Sequence, residues 1–121
     1  MSEAYIVEAV RTATGKKKGR LSNVHPVDLG AVVVDELIDR TGIATDAVDD
    51  VIFGVVNQIG AQASNLGRGV SMSSKLDLSV PGTSVDRQCG SSLQAIQFGA
   101  QAVMSGTQDV IISGGVEAMS T

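Results

Sequence analysis

Apolar and polar residues follow one another along this chain with two different periods, which predict strands and helices in turn. Residues 4–10 are rich in Tyr, Ile and Val, a composition typical of a β-strand. The polar, glycine-containing residues 11–25 predict a loop. A helix is then predicted from Pro26, with Gly42 placed to end it. Its apolar face comprises Gly30, Val33, Val34, Leu37 and Ile38.

Three further apolar runs predict strands in the rest of the chain. Residues 50–56 are nearly all apolar, as in strands buried on both faces of a parallel sheet. Residues 83–87 and 109–113 predict two more strands. Helices are predicted between them over residues 65–76, where serines and glycines weaken the pattern, and over residues 90–105.

The helix predicted over residues 90–105 is apolar around most of its circumference. Only a narrow polar stripe interrupts it, made of Gln94, Gln97 and Gln101. A helix of this kind belongs inside a protein. One small domain cannot easily cover it on both sides, so we expect a second domain or subunit to pack against it.

The order strand, helix, strand, helix, strand, helix, strand predicts an α/β fold with a mostly parallel sheet covered by helices. The length of 121 residues suits one domain. No internal repeat or low-complexity tract is present.

Charge and composition exclude several classes of protein. The formal net charge of −4 argues against a general nucleic-acid binder. The basic residues 16–20 read as an exposed loop, with contact to a phosphate-bearing ligand as the alternative. The single cysteine cannot form an internal disulfide, and no apolar stretch is long enough to span a membrane. The N-terminus lacks the regions of a secretory signal. We therefore expect a soluble, cytoplasmic protein.

The strongest candidate for chemistry is Cys89, which stands where a predicted strand turns into a predicted helix. Unpaired N–H groups and the positive end of the helix dipole favour an anion there, and the thiolate is the nucleophilic form of cysteine. Gly90 allows a sharp turn and close approach by a substrate. The alternative is that Cys89 is a small buried apolar residue, the commonest role of a lone cysteine.

Two motifs in this region resemble those of the thiolase family. Residues 88–95 (Gln-Cys-Gly-Ser-Ser-Leu-Gln-Ala) resemble the signature around the acylated cysteine, and residues 114–120 (Gly-Gly-Val-Glu-Ala-Met-Ser) resemble the Gly-Gly-Met-Glu-Ser-Met-Ser type motif that follows it. Residues 6–12 with Gly15 resemble the first strand and turn of the family, and residues 49–54 its second strand. The resemblance spans the whole chain in order.

The resemblance implies a fold larger than this chain. Thiolases consist of two similar halves that together form a five-layered α-β-α-β-α core. By resemblance, residues 1–121 are an incomplete N-terminal half-domain, a βαβαβ unit with a mixed, mainly parallel sheet. By the same resemblance, the C-terminal half and the CoA-binding loop region would be absent from this chain, and the helix after Cys89 would lie in the middle layer. The family also implies a homodimer or homotetramer, paired through the strand that precedes the cysteine.

The resemblance implies acyl transfer through Cys89. Its thiolate would accept the acyl group of a 3-ketoacyl-CoA in thiolytic cleavage, or condense an acyl group with acetyl-CoA in the reverse, Claisen direction. This is nucleophilic catalysis through an acyl-thioester. The backbone N–H of Cys89 would be an oxyanion donor. Coenzyme A and acyl-CoA are then substrates, and no permanently bound cofactor or metal is implied.

The chain departs from the family because further catalytic residues are missing. The activating histidine, the second cysteine and the residue that holds a catalytic water belong to the second half of a thiolase. His25, the sole histidine, stands at a predicted helix start, where a local polar role is expected. Glu117 has no visible carboxylate partner and reads as structural or solvated, while Ser91 and Ser92 read as capping residues. We therefore expect the chain alone to be inactive.

Two other functions remain open from the sequence. A β-ketoacyl-synthase-like condensing enzyme also carries a cysteine at a helix start, but in an Ala-Cys-Ser-Ser context, whereas Gln88 and Gly90 flank the cysteine here. The chain could also be a non-catalytic thiolase-like subunit that binds acyl-CoA or completes an assembly. A scaffold of that kind needs no thiol at position 89.

Overall fold

The computed structural model describes residues 2–120, so Met1 and Thr121, the two ends of the predicted domain, lie outside the described residues. The elements, in chain order, are α1 (Pro26–Thr41), β1 (Asp50–Gly54), a 3-10 turn (Gly60–Gln62), α2 (Leu66–Ser73), β2 (Gly82–Val85), α3 (Ser91–Met104) and β3 (Ile111–Gly115). These elements confirm the predicted α/β fold, with the three helices and the last three strands at the expected places.

Local capping explains where α1 begins and ends. His25 is its N-cap, and the ring nitrogen Nδ1 accepts a hydrogen bond from the N–H of Val27 at 3.2 Å. Pro26 then occupies the first helical position, where a missing N–H costs nothing. Gly42 ends the helix with φ of 66°, a left-handed conformation that glycine adopts without strain.

The three strands form one sheet in the order β2-β1-β3, and both pairings are parallel. β1 is therefore the central strand, and its residues from Val51 to Gly54 are buried. At its carboxyl end Gly54 pairs with Val85 of β2 on one side and with Gly115 of β3 on the other. The three strands thus end at the same edge of the sheet.

Helices cover both faces of this sheet. Side chains alternate between faces along a strand, and Val51, Phe53 and Val55 belong to the main core with residues of α1 and α2. Position 54 faces the opposite side of the sheet, because a Cβ atom on Gly54 would meet the backbone at the start of α3. The structure therefore has three layers, with α1 and α2 on one face and α3 on the other.

The strand predicted over residues 4–10 is wrong. This segment belongs to no strand or helix, and Tyr5, Ile6 and Val7 are 75%, 80% and 84% exposed. It lies near α1, where Glu8 is 3.9 Å from Arg40. A strand needs a partner for its hydrogen bonds, and this segment pairs with neither β2 nor β3. High β-propensity alone therefore does not make it a strand.

The burial expected for α3 is reached on one face only. Ser91, Ala95 and Gly99 are buried against the sheet. The rest of the helix is exposed, with Leu93, Ile96, Phe98 and Met104 between 37% and 60% accessible beside the exposed polar residues Gln97 and Gln101. Between residues 2 and 120, no helix is long and apolar enough to cross a bilayer.

Candidate functional site

The candidate site lies where the carboxyl ends of the parallel strands meet. The chain leaves β1 toward β2 on one side and later reaches β3 on the other side of β1. At such a switch in direction the connections diverge from one another, and open α/β sheets bind their ligands in the crevice that results. An open cavity of ≈ 420 Å³ occupies this position.

Residues from the ends of β1 and β3, from the segments that follow them, from the turn after β2 and from the start of α3 line this cavity. They are Gly54, Val56, Asn57, Gln88, Cys89, Ser91, Ser92, Gly115, Val116, Glu117 and Met119. The two sequence motifs at residues 88–95 and 114–120 therefore face the same space, although they are well separated along the chain.

Two glycines allow α3 to start at the sheet edge. A Cβ atom on Gly54 would overlap the backbone of Ser91 and Ser92, and one on Gly115 would overlap the hydroxyl of Ser92. Gly54 and Gly115 are paired across β1 and β3. This side-chain-free pair brings the first turn of α3, and with it Cys89, against the ends of the strands.

The turn before α3 is held in an unusual conformation. Gln88, immediately before the cysteine, has φ of 46°, a left-handed value that is uncommon for a residue with a side chain. The Asp86 carboxylate accepts a hydrogen bond from the Gln88 N–H at 2.8 Å. The Ser91 hydroxyl accepts from the Arg87 N–H at 2.8 Å and donates to the Gln88 carbonyl at 2.6 Å. Two short polar side chains thus fasten the turn from both ends.

Cys89 is exposed and lies on the cavity wall, one residue before Gly90, the N-cap of α3. The alternative of a buried, apolar cysteine is therefore wrong for this structure. The N–H groups of Gly90 and Ser91 turn back to the carbonyls of Arg87 and Gln88. A thiol in this position can meet a ligand entering the crevice close to the positive end of the α3 dipole.

Sequence reasoning missed the residues that shape this turn and wall. Ser91 does not act as the N-cap of α3, because its hydroxyl bonds the preceding turn instead. The Glu117 carboxylate accepts hydrogen bonds from two backbone N–H groups of the loop after β1, so its structural role is to hold that loop. An aspartate three residues before the cysteine and a serine two residues after it were available signals, because both residue types fasten turns through their side chains.

Carboxyl groups with shifted pKa values lie at the other end of the sheet. Hydrogen bonds from the N–H groups of Asp109 and Val110 lower the pKa of Asp49, which precedes β1. Burial raises the pKa of Asp50 at the first position of β1. These residues stand at the amino ends of β1 and β3, away from the cavity, so their shifts reflect local packing.

The other candidates do not reach the cavity wall. His25 is the N-cap of α1, as a local polar role predicts, and it is not among the residues that line the site. Lys16, Lys17, Lys18 and Arg20 are exposed in a loop of turns. None of these basic residues lines the cavity.

Known proteins similar to this chain are thiolases. The Mycobacterium tuberculosis protein named steroid 3-ketoacyl-CoA thiolase FadA6 is 58% identical to this chain over 99% of the chain's length. Beta-ketoadipyl-CoA thiolase of Acinetobacter baylyi is 46% identical over 99% of the chain, and 3-ketoacyl-CoA thiolase of Bacillus subtilis is 41% identical over the same share. The chain spans 30%, 30% and 31% of the lengths of these three relatives.

The family model described as "Thiolase, N-terminal domain" matches residues 4–121. That range includes both motifs, the strand ends that form the crevice and the helix that follows the cysteine. By this match, and by relatives that cover nearly all of its length, the chain belongs to the thiolase family and corresponds to the N-terminal domain of its members.

Proposed function

We propose that this chain is the nucleophile-bearing N-terminal part of a thiolase that cleaves or forms 3-ketoacyl-CoA through an acyl group on Cys89. The observation that carries the proposal is the position of Cys89, exposed on the wall of the crevice at the strand ends and immediately before α3. Family membership supplies the reaction class, and the geometry supplies an accessible thiol in a cavity of suitable size.

In the degradative direction, the sulfur of deprotonated Cys89 attacks the 3-keto carbon of the substrate. The bond between C2 and C3 then breaks, its electron pair passes to the acetyl-CoA enolate, and a proton added at C2 releases acetyl-CoA. Free CoA, as its thiolate, next attacks the carbonyl of the acyl-cysteine and restores the Cys89 thiolate. Each step through the covalent intermediate is easier than a single direct transfer. The N–H of Cys89 is the proposed donor to the oxyanion that forms on the way.

The residues that move protons in this scheme are proposed to come from a second half-domain. His25 caps α1 and does not line the cavity. The exposed apolar residues of α3, among them Leu93 and Ile96 at 60% and 43% exposed, support this division, because a second layer would remove them from water. We therefore propose that residues 1–121 are an incomplete half-domain and that turnover requires the rest of a thiolase.

The proposal names a substrate class and leaves the acyl group open. The relatives are named for steroid, beta-ketoadipyl and general 3-ketoacyl thioesters, which differ in size and charge. Their shared chemistry is a 3-ketoacyl-CoA. All three are named thiolases, which favours this reaction over that of a β-ketoacyl synthase. The exposed thiol favours catalysis over a purely structural subunit.

The proposal includes a homo-oligomer. β2, the strand that precedes Cys89, is an edge of the sheet and has β1 on one side only. A free strand edge presents unpaired N–H and C=O groups that a second copy can bond. The dimeric or tetrameric state and the cytoplasmic location stay predictions from the sequence.

The test is denaturing intact-mass spectrometry of the complete thiolase before and after brief exposure to a 3-ketoacyl-CoA or to acetyl-CoA. We expect a mass gain of one acyl group that hydroxylamine removes, and we expect Cys89→Ala to abolish it. The control is Ser92→Ala, which changes a neighbouring cavity residue and keeps the thiol. An unchanged mass in the complete protein, or a gain that persists in Cys89→Ala, would reject Cys89 as the acyl acceptor.

A further inference from the structure

We propose that Glu117 and Gln62 are a positioning pair that sets the width of the Cys89 crevice and thereby the affinity for the acyl group. The inference rests on the proposed function and adds to it, because it assigns two residues that hold the acyl-binding wall in place. Neither residue is proposed to take part in the chemistry at the thiol.

The contacts of Glu117 and Gln62 lie just beyond the point where the pairing between β1 and β3 ends. The last paired residues of β1 and β3 are Gly54 and Gly115, and one further backbone bond joins Val116 to Gly54 at 3.1 Å. Beyond that point the two chain segments separate to form the crevice. The spacing between them is therefore decided by side chains rather than by the sheet.

Glu117 spans this gap with its carboxylate. Oε1 accepts a hydrogen bond from the N–H of Val56 at 2.9 Å, and Oε2 accepts one from the N–H of Asn57 at 3.3 Å. Both donors belong to the segment after β1, and Val56 and Asn57 line the cavity. Hydrogen bonds to an ionised acceptor are stronger than those between neutral groups, so one carboxylate can fix this segment.

Gln62 completes the connection from behind the wall. It is only 2% exposed, although its amide is polar. Its Nε2 donates to Glu117 Oε2 and to the carbonyl of Asn57, both at 2.7 Å, and its Oε1 accepts from the N–H of Ala118 at 2.6 Å. The amide nitrogen thus bonds both segments, and the amide oxygen bonds the segment after β3 a second time. A buried amide with its hydrogen bonds satisfied favours one arrangement of its surroundings.

The hydrogen bonds of Glu117 and Gln62 shape the crevice more than they stabilise the fold. The apolar core is built from residues such as Val51, Phe53 and Val55, and the ladder ends before Glu117. The two segments that the pair joins carry Val56, Asn57, Val116 and Met119, which line the same cavity as Cys89. Loosening the pair should therefore move the wall that contacts the acyl group while leaving the thiol and its turn intact.

The test is steady-state kinetics of Glu117→Gln in the complete thiolase. This substitution keeps the shape of the side chain, removes its charge and places an NH₂ group among hydrogen-bond donors. We expect KM for a 3-ketoacyl-CoA to rise about tenfold with kcat changed less than about twofold. The reason is that the variant disturbs the wall that binds the substrate and leaves the chemical steps at the thiol unchanged. The pH dependence of Cys89 alkylation by iodoacetamide should stay as in the unaltered protein.

Two further variants complete the design. Gln62→Met removes the amide at similar length and should raise KM in the same way, which keeps the test available if Glu117→Gln fails to fold. The matched control is Gln58→Ala in the same loop, since Gln58 donates to the carbonyl of Val55 and does not line the cavity. We expect Gln58→Ala to leave KM unchanged.

The outcomes separate this inference from the proposed function. If the unaltered protein forms no acyl-cysteine, the proposed function fails and the inference fails with it. If the unaltered protein is acylated and both variants keep its KM, the positioning role alone is overturned. A fall in kcat with constant KM, or a shifted alkylation profile, would also overturn it, because the pair would then act on the thiol.

Discussion

The hydroxyl of Ser91 donates to the carbonyl oxygen of Gln88 at 2.6 Å, and this bond crosses the turn that carries Cys89. The same hydroxyl accepts from the N–H of Arg87, so one small side chain satisfies two backbone groups. Gln88, which lies between Arg87 and Cys89 in this turn, has φ of 46°. A left-handed conformation of this kind costs free energy and persists only where the surrounding structure holds it.

Ser91→Ala should therefore weaken the protein at this turn. The substitution leaves the Arg87 N–H without its partner and removes one of the two hydrogen bonds to the Gln88 carbonyl, which keeps the bond from the Ser91 N–H. The Ser91 residue that would be changed is only 4% exposed. We expect the free energy of unfolding to fall by about 1–3 kcal/mol, the cost of leaving polar groups unsatisfied. Urea unfolding followed by circular dichroism measures it. Ser92→Ala, at the exposed neighbouring residue, should stay within about 0.5 kcal/mol. Equal effects of the two substitutions would contradict this account of the turn.

Two glycines of α2 should respond in opposite ways to alanine. A Cβ on Gly67 would overlap the carbonyl of Thr83 in β2, whereas one on Gly69 would lie 3.2 Å from a methyl group of Val27. The backbone of β2 cannot move without breaking its pairing with β1, but a side chain can adjust. We expect Gly67→Ala to lower the free energy of unfolding by about 3 kcal/mol, at the upper end for overpacking.

Gly69→Ala is the matched control in the same helix. Alanine is favoured over glycine inside a helix by about 1 kcal/mol, which offsets the tight contact with Val27. This variant should be at least as stable as the unaltered protein in thermal unfolding. A Gly67→Ala variant as stable as Gly69→Ala would show that α2 and β2 do not approach as closely as the structure indicates.

Asp49 should make stability depend on pH in the acid range. Its pKa lies below the ordinary value of 3.8 because the N–H groups of Asp109 and Val110 donate to Oδ2 at 2.7 and 3.1 Å. A carboxyl group with a lowered pKa in the folded state contributes stability above its unfolded pKa. That contribution is lost as pH falls through the folded value. Asp49→Asn should thus be less stable than the unaltered protein near neutral pH, and the difference should shrink below about pH 4.

Urea midpoints measured at intervals between about pH 6 and pH 3 test this expectation. Asp46→Asn in the same loop controls for the change in net charge, since it removes the same charge at an exposed position. A difference between Asp49→Asn and the unaltered protein that stays constant over this range would indicate that the ionised form has no special role.

Much of the fold could be predicted from the sequence by itself. The period of apolar residues after Pro26 and the near-continuous apolar run after Asp50 identify α1 and β1, since hydrophobic periodicity reports which face of an element is buried. Gly42 marks the end of α1 because of the left-handed conformation required there. The place of Cys89 at a strand-to-helix turn, and the two motifs around it, were also available from the chain alone.

Only the tertiary structure decided which segments pair and which side chains meet. The N-terminal run around Ile6 has the composition of a strand but pairs with no strand within residues 2–120, and β-structure requires hydrogen bonds between segments distant in sequence. Glu117 and Gln62 meet across 55 positions of the chain, so no local pattern could join them. The sequence by itself determined the local elements and the candidate nucleophile, because these depend on neighbouring residues. The crevice around Cys89 depends on strand order and on the approach of distant segments, which exist only in the folded chain.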